Sequence, residues 1–164
     1  MKAAIKKALK SGIRLAMNGV MRLAIGRYSI DQVLDIALSR IKTVQHQGVV
    51  LTFAVPNKLN LFRVDSFSIK EPETLEWIDG IPWGEVLWDI GANIGLYTCY
   101  AAKARGCRVV AFEPSIFNLE LLARNISLNG LTSKATIIPL PLTDALTVST
   151  LNMTTTEWGG NVNV

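Results

Sequence analysis

From Val86 to Ile138 the chain passes repeatedly between short apolar runs and amphipathic stretches, and that alternation leaves few folds open. Val86-Leu87-Trp88-Asp89-Ile90 reads as a strand buried on both faces of a parallel sheet. Gly91 to Gly95 interrupt it, and a helical pattern follows through Leu96, Tyr100, Ala101 and Ala104 until Gly106. Arg108 to Glu113 form a second apolar run. Pro114 and Ser115 then open a helix whose apolar face is Ile116, Leu119, Leu122, Ala123 and Ile126. Asn129-Gly130 accept the left-handed conformation that ends a helix. A third strand lies within Ala135 to Leu142, shortened by Pro139 and Pro141. Strand, helix, strand, helix, strand predicts right-handed crossovers in a doubly wound α/β sheet.

The rest of the chain divides by charge and period into a basic helical segment (1–47), a hairpin and linker helix (48–84), and the α/β region (85–164). Residues 1 to 27 hold Lys2, Lys6, Lys7, Lys10, Arg14, Arg22 and Arg27 and no acid. Ile5, Leu9, Ile13, Ala16, Met17, Val20, Leu23 and Ala24 recur among them at mostly helical spacing. Such a helix packs on its own domain with a solvated cationic face, or lies on an anionic membrane surface, or meets a phosphate backbone. Gly26 and Arg27 predict a break, with Ser29 or Asp31 capping a second helix that reaches Ile41. Val49 to Val55 predict a strand and Leu61 to Val64 its hairpin partner. Pro72 to Ile78 predict a short helix. Two cysteines in 164 residues exclude a disulfide scaffold, and no apolar run is long enough to span a membrane. We expect a reducing, cytoplasmic setting.

A glycine turn between a strand and a helix lets a ligand approach the backbone, where free N–H groups of the helix start await it. Glu113 ends the neighbouring strand, 18 residues after Gly95, where a carboxylate can accept both hydroxyl hydrogens of a ribose. An adenosine-containing cofactor is expected across the carboxyl ends of the strands. Gly91 and Gly95 with Asn93 between them do not match G-x-G-x-x-G, and no Gly-Lys-Ser/Thr ending marks a nucleotide-binding loop of the Walker type. Asp89 would repel a pyrophosphate but suits the cationic amino end of S-adenosylmethionine. A nicotinamide-dependent oxidoreductase stays open as the weaker alternative.

Asp89-Ile90-Gly91-Ala92-Asn93-Ile94-Gly95, then Phe112-Glu113-Pro114, then Asn125 with Leu128-Asn129, resembles the FkbM-type family of S-adenosylmethionine-dependent methyltransferases over roughly residues 70 to 150. The resemblance implies a partial Rossmann-like core, strands one to three. It places Asp89, Gly91 and Gly95 around the methionine portion of the cofactor and Glu113 on its ribose, with Ala92 in the same cofactor-binding loop and Asn93 supporting that loop through unusual backbone angles or a side-chain hydrogen bond. It implies methyl transfer to a hydroxyl of a sugar, polyketide or other small-molecule acceptor, with no nucleic acid involved; no general base can be named. The family continues through further strands, including one with an Asp-Val-Glu-Gly-like motif that this chain lacks, so the chain reads as an N-terminal fragment or shortened product. A cofactor-binding fragment without turnover is the other alternative. With no fourth strand, the edge of Val86 to Ile90 is expected to be open unless the hairpin or a second copy covers it.

Four further features carry little chemistry. His46 is the only histidine and has no nucleophile motif, so it reads as a surface or helix-end residue. Cys99 and Cys107 are too few for a structural zinc site and read as core residues. Trp77, Trp83 and Trp88 read as packing residues. Asp144, after the third strand, is a candidate adenine contact, though a turn acid explains it equally.

Overall fold

The computed structural model describes residues 2–144, 150–153 and 155–163, and their side chains except at 2–4, 24, 153, 162 and 163. Two compact units part between Ser39 and Arg40.

The first unit is two helices, α1 (Lys2–Val20) and α2 (Ala24–Leu38). The break falls at Met21 to Leu23, earlier than expected. Gly26 lies inside the first turn of α2, where a Cβ would collide with the carbonyl of Val20, so this glycine permits a close approach instead of ending a helix. Ser29 is no cap, because its hydroxyl donates to Ile25 O within α2. Along α1 the stripe Ile5, Leu9, Ile13, Met17 and Val20 is exposed, flanked by Lys6, Lys7, Lys10 and Arg14. No helix among the described residues is long and apolar enough to cross a membrane.

The second unit opens with an antiparallel hairpin, β1 (Ile41–His46) and β2 (Val49–Ala54), turned by Gln47 and Gly48 at positive φ. This corrects two expectations. Ile41 begins a strand instead of ending a helix, and the partner of β2 precedes it. Leu61 to Val64 belong to α3 (Lys58–Asp65), which Asn57 caps by accepting from Asn60 N at 2.8 Å. Two short helices, α4 (Phe67–Lys70) and α5 (Pro72–Asp79), follow. Pro72 suits the first turn of α5, where its missing N–H costs nothing.

Three parallel strands then form the central sheet, ordered β3 (Val86–Ile90), β4 (Arg108–Phe112), β5 (Ala135–Ile138). Helices α6 (Leu96–Ala104) and α7 (Ile116–Leu128) make the crossovers. Successive right-handed crossovers in one direction put both helices on one face of the sheet. Leu87, Val109 and Ala111 point into that face and are buried with Cys99, Ala101, Leu121, Leu122 and Ile126. The alternate residues Val86, Trp88 and Ile90 are 50%, 58% and 59% exposed on the other face, where the Trp88 ring packs on Phe112. An α/β fold with a parallel sheet is thus observed, with β3 as its open edge among the described residues. A short antiparallel pair, β6 (Asn152–Met153) with β7 (Val162–Asn163), closes the unit.

The hairpin does not cover β3. It sits against α6 and α7, held there by asparagines. Asn129 donates to Thr52 O at 2.8 Å and accepts from Thr52 N at 3.0 Å, as a neighbouring strand would. Asn125, fully buried, accepts from Ala54 N at 2.8 Å and donates to Ile94 O at 2.7 Å. One side chain therefore satisfies the edge of β2 and the loop after β3 together. His46 lies on β1, edge-on to Phe67 and Tyr100, so it is neither a helix end nor a free surface residue. Trp77 is largely exposed, contrary to the packing role expected of it; Trp83 is exposed too, but its indole lies against Gly106, where a Cβ would collide with it. Cys99 and Cys107 are buried free thiols, and burial pushes Cys99 up to about 12.

Candidate functional site

Parallel strands end where the next helix must start, and the site grows from that constraint. After β3 the chain turns back through Gly91 (φ 78°), Asn93 (φ 51°) and Gly95 (φ 81°), all left-handed. Gly91 N and Ala92 N both donate to Phe112 O, at 2.9 and 3.0 Å, which pins the loop to the end of β4. The two glycines serve different ends. A Cβ on Gly91 would meet nothing within 4 Å, so open space faces it. A Cβ on Gly95 would strike Leu122, so this glycine lets α6 start against α7.

The loop borders a cleft of about 370 Å³ lined by Asp89, Gly91, Ala92 and Asn93 together with Arg63, Phe67, Glu71 and Tyr97. Gly95, Glu113 and Asp144 are outside that lining. Asp89 accepts a short hydrogen bond from the Thr98 hydroxyl. Burial pushes its carboxyl above its ordinary value, Thr98 opposes the shift, and the nearby Glu113 charge adds to it. Across the cleft Tyr97 donates to Glu71 Oε2 at 3.0 Å, and Lys70 pairs with Glu71 Oε1 at 3.1 Å. Lys70 and Tyr97 hold the Glu71 carboxyl below its ordinary value.

Glu113 follows β4 and is only 1% exposed. Its carboxylate accepts from Asn93 N at 2.7 Å, Ser115 N at 2.8 Å and, more weakly, Asn118 Nδ2 at 3.4 Å. The first of these bonds ties the glycine loop to the second strand. The other two place the charge at the N-terminus of α7, where the helix dipole favours it. Asp144, by contrast, is an exposed residue in the segment after β5. It does not join the other candidates.

Sequence reasoning missed the cleft's second wall. Arg63 lay in a stretch expected to be a strand, and Phe67, Lys70 and Glu71 in one expected to be a linker. Asn118 was missed as well, although it follows Glu113 by five residues, in the first turn of α7. Its amide is buried and engages Gly159 and Gly160, whose paired glycines were the one available signal of a tight approach. Among the described residues there is no cluster of His, Cys, Asp and Glu able to hold a metal ion.

No protein-family model matches the sequence, and no curated protein matches it. Solved structures do show partial likeness. M. jannaschii TYW2 in complex with AdoMet is 23% identical with a TM-score of 0.45, over 62% of this chain and 43% of that one. The M. jannaschii tRNA m1G37 methyltransferase is 21% identical with a TM-score of 0.39, over 62% and 28%. The SAM-dependent methyltransferase from Agrobacterium tumefaciens is 19% identical with a TM-score of 0.43, over 60% and 32%. The chain spans less than half the length of each of these proteins.

Proposed function

We propose that this chain carries the cofactor half of an S-adenosylmethionine-dependent methyltransferase of the FkbM type. One observation carries the reading: carboxylates Asp89 and Glu113 close neighbouring parallel strands, and a left-handed glycine loop between them is bonded to one and adjoins the other. The residues fit the methionine end of the cofactor as they stand. Asp89 lines the cleft as an acid for a cationic amino group, and the space in front of Gly91 admits a ligand against the backbone. Glu113 offers the two carboxylate oxygens a ribose requires, behind the turn that holds Gly159 and Gly160.

When bound, the cofactor supplies an electrophilic methyl group on a sulfonium. The protein's part is orientation: Asp89 anchors the amino end, Glu113 fixes the ribose, and the loop holds both at one distance. The acceptor we propose is a small-molecule hydroxyl reaching the cleft past Tyr97 and Glu71. Glu71, already held ionised by Lys70, is a weak base, so we assign it no proton transfer. One of the neighbouring solved structures is a tRNA methyltransferase, so tRNA belongs in the acceptor panel beside sugars and polyketides. The test is transfer of labelled methyl from S-adenosylmethionine to that panel, with NAD as a competitor for the site. Label on a hydroxyl compound supports the reading; label on tRNA alone replaces the acceptor. Cofactor binding without any transfer leaves the binding-fragment alternative.

Three accompanying proposals concern location and partners. Two buried thiols suit a cytoplasmic protein. The exposed apolar stripe of α1, flanked by four cations, suits an anionic lipid surface. Sedimentation with anionic vesicles, lost on changing Lys6, Lys7 and Lys10 to Glu, is the expected result. The open flank of β3 suits a second copy of the chain, and Trp88→Lys should then lower the sedimentation coefficient.

A further inference from the structure

Four asparagines and an arginine, drawn from α3, the glycine loop and α7, converge on three consecutive carbonyl groups. Asn57 Nδ2 and Asn60 Nδ2 donate to Trp158 O at 3.0 and 3.1 Å. Arg63 donates to Gly159 O through Nε at 3.0 Å and Nη2 at 2.6 Å. Asn93 Nδ2 and Asn118 Nδ2 donate to Gly160 O at 3.2 and 3.0 Å. Gly159 N donates back to Asn118 Oδ1 at 2.9 Å. The two side chains that clasp Gly160 are the ones flanking the Glu113 carboxylate, Asn93 through its backbone N–H and Asn118 through its amide. Gly159 and Gly160 are themselves buried, and Glu113 lies behind them.

This fit has one flaw. Asn60 is fully buried, yet among the described residues its Oδ1 has no hydrogen-bond partner, and the missing side chain of Gly159 points at it. An unsatisfied buried acceptor costs roughly 1–3 kcal/mol and calls for a donor. Six side-chain donor contacts to backbone carbonyls, one idle acceptor and one sealed carboxylate describe a polar cradle to which the turn returns a single donor, Gly159 N.

We propose that this cradle of Asn57, Asn60, Arg63, Asn93 and Asn118 is the adenosine subsite, and that the turn Trp158 to Asn161 is its internal occupant, displaced when the cofactor binds. The inference rests on the cofactor reading above. An adenosine moiety supplies what the turn lacks: hydroxyl and amino donors for Glu113 and Asn60 Oδ1, with ring and hydroxyl acceptors for the asparagine amides. The turn and the ligand then compete, and apparent affinity is reduced by the fraction of molecules in which the cradle is closed.

Gly159→Ala tests this without replacing any cradle residue, since Gly159 has φ 85° and a Cβ there would collide with Asn60 Oδ1, which disfavours the docked turn. Calorimetric titration with S-adenosylhomocysteine should show the variant binding at least about tenfold tighter than wild type, the figure for a cradle closed nine-tenths of the time. Equal or weaker binding by the variant overturns the proposal while leaving the cofactor reading intact. Absence of binding by both folded proteins overturns the cofactor reading itself. Hydrogen exchange on the wild-type chain needs no variant. Saturating S-adenosylhomocysteine should speed exchange across residues 157–161, and slower exchange would mean that the turn closes over the ligand instead.

Discussion

Asp89 and Glu113 end adjacent strands of the same sheet, yet one borders an open cleft and the other is sealed. Their own elements do not explain the contrast. Both precede a turn into a helix and both accept a hydrogen bond from the start of that helix. The difference lies in what covers them. Open space faces Gly91, beside Asp89, whereas a turn from the far end of the chain lies across Glu113 and is fastened there by asparagine amides. A carboxylate's place in a sheet therefore fixes where it points, and the later chain fixes whether a ligand can reach it.

The largest effect should come from breaking the sealed half. On the proposed assignment, Glu113→Ala removes two charge-assisted hydrogen bonds to the ribose, each worth roughly 1.5–3 kcal/mol, so affinity for S-adenosylmethionine should fall at least about a hundredfold. Glu113→Gln, which keeps the volume, separates that loss from collapse of the loop. Next comes the support shared by both halves. Asn125→Ala strands Ala54 N and Ile94 O in the interior, and chemical denaturation should show a loss of roughly 2–4 kcal/mol. Asp89→Asn removes one charge from the open half, and affinity should drop about tenfold, measured by the same titration.

The smallest effect sharpens the electrostatic side of the contrast. An acid whose pKa is raised by folding holds its proton more tightly in the folded chain than in the unfolded one. Stability from Asp89 is thus present below its ordinary value of 3.8 and falls as pH rises from there to its raised folded value. Unfolding free energy followed across that window should slope downward for wild type relative to Asp89→Asn. Identical slopes would mean that burial does not govern this carboxyl.

The alternating core was legible because its signals are local. Glycines at Gly91 and Gly95, the Asn129-Gly130 stop and Pro139 each set their own backbone, and β3, α6, β4, α7 and β5 fall where those residues put them. The hairpin was misread because Leu61-Phe62-Arg63-Val64 is short and apolar enough for either helix or strand, and Asn57 as a helix cap decides it only through its bond to Asn60. The cradle was illegible for a different reason. Its members sit at 57, 60, 63, 93 and 118 and their occupant at 158–161, and no spacing rule relates residues brought together only by the tertiary fold. The role of Gly95 was obscured in the same way, since Leu122 is what fills the space beside it.

The most direct test of the account is a calorimetric titration of folded wild-type protein with S-adenosylmethionine beside Glu113→Ala. Saturable one-to-one binding that vanishes in the variant is the predicted result. Equal binding by both proteins, or none by a wild type that unfolds cooperatively, would contradict the assignment of Glu113 and the glycine loop to this cofactor.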